Sequence, residues 1–286
     1  DKVKPHLERA KFWSERGPML GIGQLSFETL KFEAEDSCAR ITLTRPGSMN
    51  ALSALMVNEL AQCVKDVAER DEIRVLTITG SGRAFCCGAD LKGVLGEVQA
   101  GDNTGFLGFL RDIQNVFLAI RALPKPTIAA LNGLTLAGGL ELAMTCDVVM
   151  AARSARLGDA HSNFGVLPGG GGSLLPRYVG EKKANYLLFS GDHWSAEAFR
   201  EAGFVSQVVE DDDLSSVAEA LAAKLAEKSP LVLQRMKEMV AGSAHLSARE
   251  AIALEMRHLE AHAKSADFLE GLSAFSEKRT PKYSGQ

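Results

Sequence analysis

Two glycine-containing junctions in the chain have the residue types needed to hold an anionic oxygen with backbone N–H groups. The first runs over residues 79–91 (TGSGRAFCCGADL) and the second over residues 129–141 (AALNGLTLAGGLE). In each, a short apolar segment typical of a buried strand is followed by a loop, after which we expect a helix to begin. The first N–H groups of a helix lack partners within it and lie at the positive end of its dipole. Two such groups directed at one point would form an oxyanion hole, whereas two tight turns without a ligand are the alternative.

Alternating strand and helix patterns around these junctions predict an α/β fold with a largely parallel sheet. Apolar alternation predicts a hairpin that turns near residues 36–37. Buried strands are predicted at residues 75–79, 127–131 and 148–151, and helices over residues 51–70, 105–121 and 138–146. In a parallel sheet both junctions would lie at the carboxyl ends of strands, where α/β folds bind ligands.

Composition changes near both ends of the chain and suggests its division. Residues 214–228, 231–242 and 247–277 are predicted to be helical, being rich in Ala, Leu, Lys and Glu. The start is polar, and a short helix carrying Phe12 and Trp13 is predicted before a glycine-rich break. A length of 286 residues suggests about two domains. We expect an N-terminal extension (1–24), an α/β core (25–210) and a helical C-terminal region (211–286).

Charge and hydropathy exclude several classes of protein. The chain has 32 Lys and Arg against 36 Asp and Glu, a net charge of −4, whereas a dedicated nucleic-acid binder is usually basic. No run approaches the ~18 apolar residues of a membrane span, and the first residues lack the apolar stretch of a secretory signal. We expect a cytoplasmic protein without nucleic-acid or membrane partners. A targeting peptide removed before Asp1 remains an open alternative.

Five cysteines, an odd number, lie mostly in apolar segments: Cys38, Cys63, Cys86, Cys87 and Cys146. Reduced, buried thiols are the simplest interpretation. The adjacent pair at 86–87 lacks the spacing of a redox or zinc motif, and no metal site is predicted. The glycine run at residues 169–172 is not followed by Lys, so it is not a Walker phosphate loop.

The two junctions together resemble the crotonase (enoyl-CoA hydratase/isomerase) superfamily. The resemblance is carried by GSGRAFCCGADL at residues 80–91 and AALNGLTLAGGLELAMTCD at residues 129–147, and it extends from about residue 25 to FSEKRTP at residues 275–281. It implies a crotonase-like ββα spiral core. It also implies an all-helical C-terminal region that assembles the chain into homo-trimers or hexamers (dimers of trimers).

The resemblance also assigns residues to a site. It implies that the N–H groups of Ala89 and Gly138 hold the thioester oxygen of an acyl-CoA, and that Glu141 is the first of two catalytic glutamates. His161 stands where the second glutamate is found. Imidazole is an acid or base near neutral pH, so a Glu/His pair would still move protons, although addition of water cannot be assumed. In an extended stretch Asp159 would face away from His161, yet it could still orient the imidazole.

Recognition of coenzyme A is less clearly marked. Family members often carry a basic residue after the Arg-Pro pair, but the loop at residues 47–50 (GSMN) has no charge. The resemblance makes Lys92 and Lys278 the candidate CoA-binding residues, the second sometimes acting across a subunit boundary. Coenzyme A is expected as part of the substrate, with no tightly bound cofactor.

Three functions are therefore compatible with the sequence. The leading one is an acyl-CoA thioester-processing enzyme, a lyase or isomerase of the enoyl-CoA hydratase/isomerase type. The uncharged loop leaves open a CoA-independent C–C hydrolase acting on β-diketones. A non-catalytic oligomeric acyl-CoA-binding homologue is the third, and the intact Glu141 argues against it. Residues 93–117 are expected to shape the acyl pocket, but the acyl group is not indicated.

Overall fold

The computed structural model describes residues 27–93 and 95–286. The predicted N-terminal extension, with its helix around Phe12 and Trp13, lies outside the described residues. None of the helices in the described ranges has the length and hydropathy needed to cross a membrane.

Ten short strands form the sheets of the described part of the chain. They are β1 (Leu30–Glu35), β2 (Cys38–Leu43), β3 (Val75–Gly80), β4 (Ala84–Cys86), β5 (Thr127–Leu131), β6 (Leu134–Leu136), β7 (Val148–Ala152), β8 (Arg156–Gly158), β9 (His193–Ser195) and β10 (Gln207–Val209). The predicted hairpin is confirmed: β1 and β2 pair antiparallel around Asp36 and Ser37, both with positive φ as a tight hairpin turn requires.

The strands are divided between two sheets. The first has the order β1-β2-β3-β5-β7-β10 and is parallel except for the β1–β2 pair. The second has the order β4-β6-β8-β9 and is parallel except for the β8–β9 pair. Strands β3, β5 and β7 of the first sheet are each followed in the chain by a strand of the second. This repeated strand–strand pattern is the ββα arrangement that the sequence suggested.

The second sheet corrects one expectation about the junctions. A helix was expected directly after each glycine-containing loop, but β4 and β6 intervene. Both strands have only three residues, too few for a period-two pattern to be recognised. Their pairing with each other is a non-local interaction that local sequence does not reveal.

Eleven helices complete the described chain. They are α1 (Ala54–Glu69), α2 (Leu95–Gln99), α3 (Thr104–Ala122), α4 (Gly138–Thr145), α5 (Leu175–Val179), α6 (Glu181–Ser190), α7 (Ala196–Glu201), α8 (Leu214–Ala226), α9 (Pro230–Ser243), α10 (Ala248–His262) and α11 (Ala266–Glu277). The segment predicted to be helical over residues 247–277 consists of two helices, α10 and α11. The chain breaks after His262, and the Ser265 hydroxyl accepts the Phe268 N–H and begins α11.

The main core lies between the first sheet and the helices that cover it. Strand β5 is buried along its whole length, and α1 and α3 contribute apolar faces to the same core. Helix α8 also packs on this sheet through Leu214, Ala218 and Ala222. In contrast, α9 and α10 bury no residue within the described part of the chain. The division of the chain at residues 25 and 211 stays a prediction.

Candidate active site

The two junctions come into direct contact at the start of α4. A Cβ placed on Gly139 would lie 1.9 Å from the Cys86 carbonyl oxygen, so only glycine lets the helix approach β4 this closely. A Cβ on Gly138 would lie 3.2 Å from the Gly88 Cα and 3.6 Å from the Ala89 nitrogen. The structure therefore brings Ala89 and Gly138 side by side.

Backbone pairing leaves the N–H groups of both residues available. Leu52 forms a parallel bridge with Ala89 by donating to the Gly88 carbonyl and accepting from the Asp90 N–H. In such a bridge the N–H of Ala89 itself points away from Leu52. Gly138 is the first residue of α4, so its N–H has no partner within the helix. The preceding Ala137 has a positive φ of 49°, an uncommon conformation for a residue with a side chain.

The segment beside the first junction is held by Asn50, which is fully buried. Its Oδ1 accepts the Arg45 N–H, and its Nδ2 donates to the carbonyl oxygens of Ser81 and Ala84. The Arg45 guanidinium lies 2.9 Å from the Asp90 carboxylate. These contacts fix residues 45–52 against the first junction. They also show that the cationic group of Arg45 is already paired.

A cavity of about 600 Å³ opens over the two junctions. Its wall contains residues from both junctions, the face of α3 and the segment after β8. The residues include Met49, Cys87, Ala89, Lys92, Phe106, Leu110, Ile113, Gly138, Glu141, His161, Phe164 and Leu167. The prediction that residues 93–117 shape a pocket is met by Phe106, Leu110 and Ile113 of α3. Most of the wall is apolar, so the few polar groups in it stand out.

Five of the six predicted site residues line this cavity: Ala89, Lys92, Gly138, Glu141 and His161. Lys92 is exposed in a 3₁₀ turn over Leu91–Gly93. Lys278 caps the end of α11, is exposed, and is not part of the cavity wall within one chain.

The Glu141 carboxylate is buried and held in one position by the backbone. Its Oε1 accepts the N–H of Gly170 at 2.9 Å and of Gly172 at 2.8 Å. Burial raises the pKa of Glu141 above its ordinary value, and this outweighs the two backbone donors and the nearby His161, which lower it. A carboxyl group whose pKa is raised is a better proton acceptor near neutral pH.

The glycine run at residues 169–172 is the part of the site that the sequence analysis did not assign. The absence of a following Lys excluded a Walker phosphate loop, and the structure shows that the run binds a side-chain carboxylate. A Cβ on Gly170 would lie 2.6 Å from Glu141 Oε2 and 2.8 Å from the Phe117 ring. The signal that could have found this role was the run itself, since close approach of backbone to a polar group calls for glycine.

His161 is in direct contact with Asp159. Its Nδ1 lies 2.9 Å from Oδ1 of Asp159, and its backbone N–H donates to the same oxygen at 3.2 Å. The stretch is not extended, and of the two alternatives the structure supports the one in which Asp159 orients the imidazole. Strand β8 ends at Gly158, Ala160 has a positive φ of 62°, and a 3₁₀ turn follows over His161–Phe164. The left-handed residue breaks the alternation that an extended segment would have.

The pKa of His161 reflects competing influences. Burial lowers it, but the hydrogen bond and negative charge of Asp159, together with the charge of Glu141, outweigh burial and leave the pKa above its ordinary value. Glu141 and His161 therefore interact electrostatically across the cavity wall. In the described residues no group of three or more His, Cys, Asp or Glu side chains is arranged to hold a metal ion.

Comparisons with known proteins show which family the chain belongs to. The profile of the enoyl-CoA hydratase/isomerase family matches residues 33–286. The chain belongs to this family. At 36% identity, it is similar to the protein named "Probable enoyl-CoA hydratase echA8" of Mycobacterium bovis, over 91% of this chain and 99% of the relative. It is 35% identical to the 1,2-epoxyphenylacetyl-CoA isomerase of Escherichia coli, over 91% of this chain and 99% of the relative.

A solved structure of an enoyl-CoA hydratase from Bacillus anthracis has the same fold. It superposes with a TM-score of 0.85 at 34% identity, covering 91% of this chain and all of the other. The crotonase fold expected from the sequence is confirmed. The two relatives are named as a probable enoyl-CoA hydratase and an isomerase, so family membership alone does not decide which reaction this chain catalyses.

Proposed function

We propose that the protein processes acyl-CoA thioesters by forming and quenching a thioester enolate. The observation that carries the proposal is the convergence, on one cavity, of two adjacent backbone N–H groups and two proton-transferring side chains. The N–H groups of Ala89 and Gly138 would both donate hydrogen bonds to the thioester oxygen, which would lie between them. Such an oxyanion hole favours the enolate over the neutral thioester, because its donors are fixed where negative charge develops.

Glu141 and His161 would move the protons. One of them removes a proton from C2 of the acyl group, and the C–H electron pair becomes the enolate, with its charge on the thioester oxygen. The proton is then returned to carbon, at C2 or at a conjugated position. Return elsewhere on the acyl chain is isomerisation, and addition of water to an unsaturated thioester is the related lyase reaction. The raised pKa values of Glu141 and His161 support a role as bases.

Coenzyme A would enter as part of the substrate, and no tightly bound cofactor is proposed. Lys92 is exposed at the cavity wall and would meet a phosphate of CoA. Lys278 would contribute only from another subunit, since it does not line the cavity of its own chain. The apolar wall formed by α3 suits the acyl group.

Exchange of the C2 proton tests the proposal without knowledge of the acyl group. The enzyme would be incubated in D₂O with a panel of acyl-CoA thioesters, including crotonyl-CoA, and deuterium uptake and product mass followed by mass spectrometry. We expect exchange or turnover with at least one thioester, and a loss of about 10²–10⁴-fold in Glu141→Gln. Glu181→Gln, at an exposed position on α6, is the matched control. Full activity in Glu141→Gln would overturn the mechanism.

One observation favours a second candidate, the CoA-independent C–C hydrolase. The loop at residues 47–50 has no cation, and Arg45 beside it is engaged by Asp90. This enzyme would cleave a cyclic β-diketone in the absence of CoA.

A thermal shift with acyl-CoA but no exchange or turnover would instead support the third candidate, the non-catalytic acyl-CoA-binding homologue.

We further propose that the chain forms homo-trimers or hexamers through its C-terminal helices. Helices α9, α10 and α11 expose large apolar side chains to solvent within one chain: Met236, Val240, Ile252, Met256, Leu259, Leu269, Leu272 and Phe275. An apolar surface of this extent is typical of a subunit interface. Light scattering should give an oligomer that the double substitution Ile252→Glu/Met256→Glu dissociates. Phe189→Glu, at an exposed apolar residue of α6, is the control.

A further inference from the structure

The carboxylate of Asp159, which contacts His161, is buried. It is 1% exposed, and it lies at the end of β8, directly before the left-handed Ala160. Its Oδ1 receives both the His161 ring and the His161 backbone N–H. Two donors from the same residue to one oxygen fix the side chain of His161 relative to its own backbone.

The second oxygen of Asp159 receives no hydrogen bond from the residues that the structure describes. Within the described residues Oδ2 is buried and accepts no hydrogen bond, and a Cβ on Gly172 would lie 3.3 Å from it. Burying a carboxylate oxygen that receives no hydrogen bond lowers the stability of the folded protein. An asparagine at this position could accept the same two hydrogen bonds through its Oδ1 without burying a negative charge. The negative charge is therefore stabilising only if a positive charge forms beside it. The imidazolium of His161 is that charge.

We propose that Asp159 is a positioning residue that fixes His161 with the proton on Nδ1, so that Nε2 is the atom that exchanges protons with the substrate. An ionised carboxylate can only accept, so Nδ1 must donate to it. The other ring nitrogen is then left for the cavity that His161 lines. When Nε2 takes a proton from substrate carbon, the imidazolium is held between the charges of Asp159 and Glu141; when it returns the proton, the neutral Nδ1–H form is restored.

The charged groups around His161 come from three segments of the chain. Asp159 lies on its own segment, Glu141 comes from α4, and Asp90 and Lys92 come from the first junction, which lines the same cavity. Removing the charge of Asp159 while keeping its oxygen should therefore lower the pKa of His161, since of the two carboxylates that raise this pKa only Glu141 would remain.

Two kinds of experiment test this inference, NMR spectroscopy and kinetics, and only the kinetic one rests on the proposed function. Nitrogen NMR of ¹⁵N-histidine-labelled protein, with His161 assigned by its loss in His161→Gln, reports the tautomer and pKa directly. We expect the neutral ring of the wild-type protein to carry its proton on Nδ1, with a pKa above the ordinary value. In Asp159→Asn the tautomer should persist and the pKa should fall. In Asp159→Ala the preference for Nδ1–H should be lost.

The kinetic arm uses the same variants in the C2-exchange assay. If neutral Nε2 is the base, the rate rises with pH through the pKa of His161, and Asp159→Asn moves this limb to lower pH. His161→Gln should lose about 10²–10⁴-fold. Ser162→Ala, on the exposed side of the same turn, should change neither the tautomer nor the pH profile.

The two arms separate failure of this inference from failure of the proposed function. A neutral His161 protonated on Nε2 in the wild-type protein, or a pKa and pH limb unchanged in Asp159→Asn, would overturn the role of Asp159 even if exchange is robust. The expected NMR result without exchange for any thioester would support the positioning of His161 while refuting the proposed reaction.

Discussion

The backbone N–H of Gly172 donates to Glu141 Oε1 at 2.8 Å, and Gly170 donates to the same oxygen at 2.9 Å. These two bonds join α4, which carries Glu141, to a loop 29 and 31 residues further along the chain. Since the second oxygen takes no part in these bonds, Oε2 is the atom left to exchange a proton. The position of the proposed base is therefore set by backbone that lies far from it in sequence.

A methyl group at residue 170 should disturb this relationship. In Gly170→Ala the new Cβ would lie 2.6 Å from Glu141 Oε2 and 2.8 Å from Phe117, so the carboxylate must move. A displacement of about 1 Å in a catalytic group can cost about 10²-fold in rate. We expect a loss of that order in C2 exchange. Gly108→Ala on α3, where a Cβ meets nothing within 4 Å, is the control. Wild-type exchange in Gly170→Ala would show that this contact does not position the base.

Glu141→Gln should stabilise the protein while it removes activity. Because burial raises the pKa of Glu141, the carboxyl group contributes stability that is complete below its unfolded-state pKa and is lost as pH rises through the folded-state pKa. Glutamine keeps an oxygen for Gly170 and Gly172 and removes the buried charge. We expect the Tm of the variant to exceed that of the wild-type protein at pH 8, by about 2–4 °C for each kcal/mol gained in the free energy of unfolding. Near pH 4 the gain in Tm should be smaller.

Melting curves at the two pH values, read by circular dichroism, check this expectation. Glu181→Gln on the exposed surface should leave Tm unchanged at both. A Tm below that of the wild-type protein at pH 8 would mean that the charge of Glu141 is net stabilising, against the direction of its pKa.

Asn50→Ala should be strongly destabilising. The Asn50 side chain is buried, bonds to three backbone groups across two segments, and has a positive φ of 54° that asparagine tolerates better than alanine. Leaving these groups without a partner should lower the free energy of unfolding by about 2–4 kcal/mol. Urea denaturation of the wild-type protein and the variant measures this difference in the free energy of unfolding. Asn58→Ala, on the exposed face of α1, should lie within about 0.5 kcal/mol of wild type.

Thiol reactivity should distinguish the five cysteines. All are free; Cys63, Cys86 and Cys146 are buried, and burial raises the pKa of both Cys86 and Cys146 to about 12. Cys38 and Cys87 are partly exposed, so iodoacetamide at pH 8 should modify these two first. Cys87 lines the cavity and Cys38 does not.

A bound acyl-CoA should therefore slow modification of Cys87 and leave Cys38 unaffected, as read by peptide mass spectrometry. Equal protection of both thiols, or of neither, would contradict placement of the acyl group in the cavity over the two junctions.

Local pattern in the sequence was sufficient for most elements that carry the site. The hairpin, strands β3, β5 and β7 and helices α1, α3 and α4 were predicted close to their observed bounds, because each is a buried or amphipathic segment of five residues or more. The motifs GSGRAFCCGADL and AALNGLTLAGGLELAMTCD placed Ala89, Gly138 and Glu141 through family resemblance. Helix caps and three-residue strands were not predicted, since they depend on single side chains or non-local pairing.

Only the tertiary structure decided how these residues meet. Contact between Gly139 and the Cys86 carbonyl sets the two junctions side by side, and the glycine run at 169–172 closes on Glu141. The left-handed Ala160 turns Asp159 toward His161, against the alternation expected of an extended chain. The sequence determined which groups were present; their distances and pKa values follow from backbone conformation and burial, which local pattern does not encode.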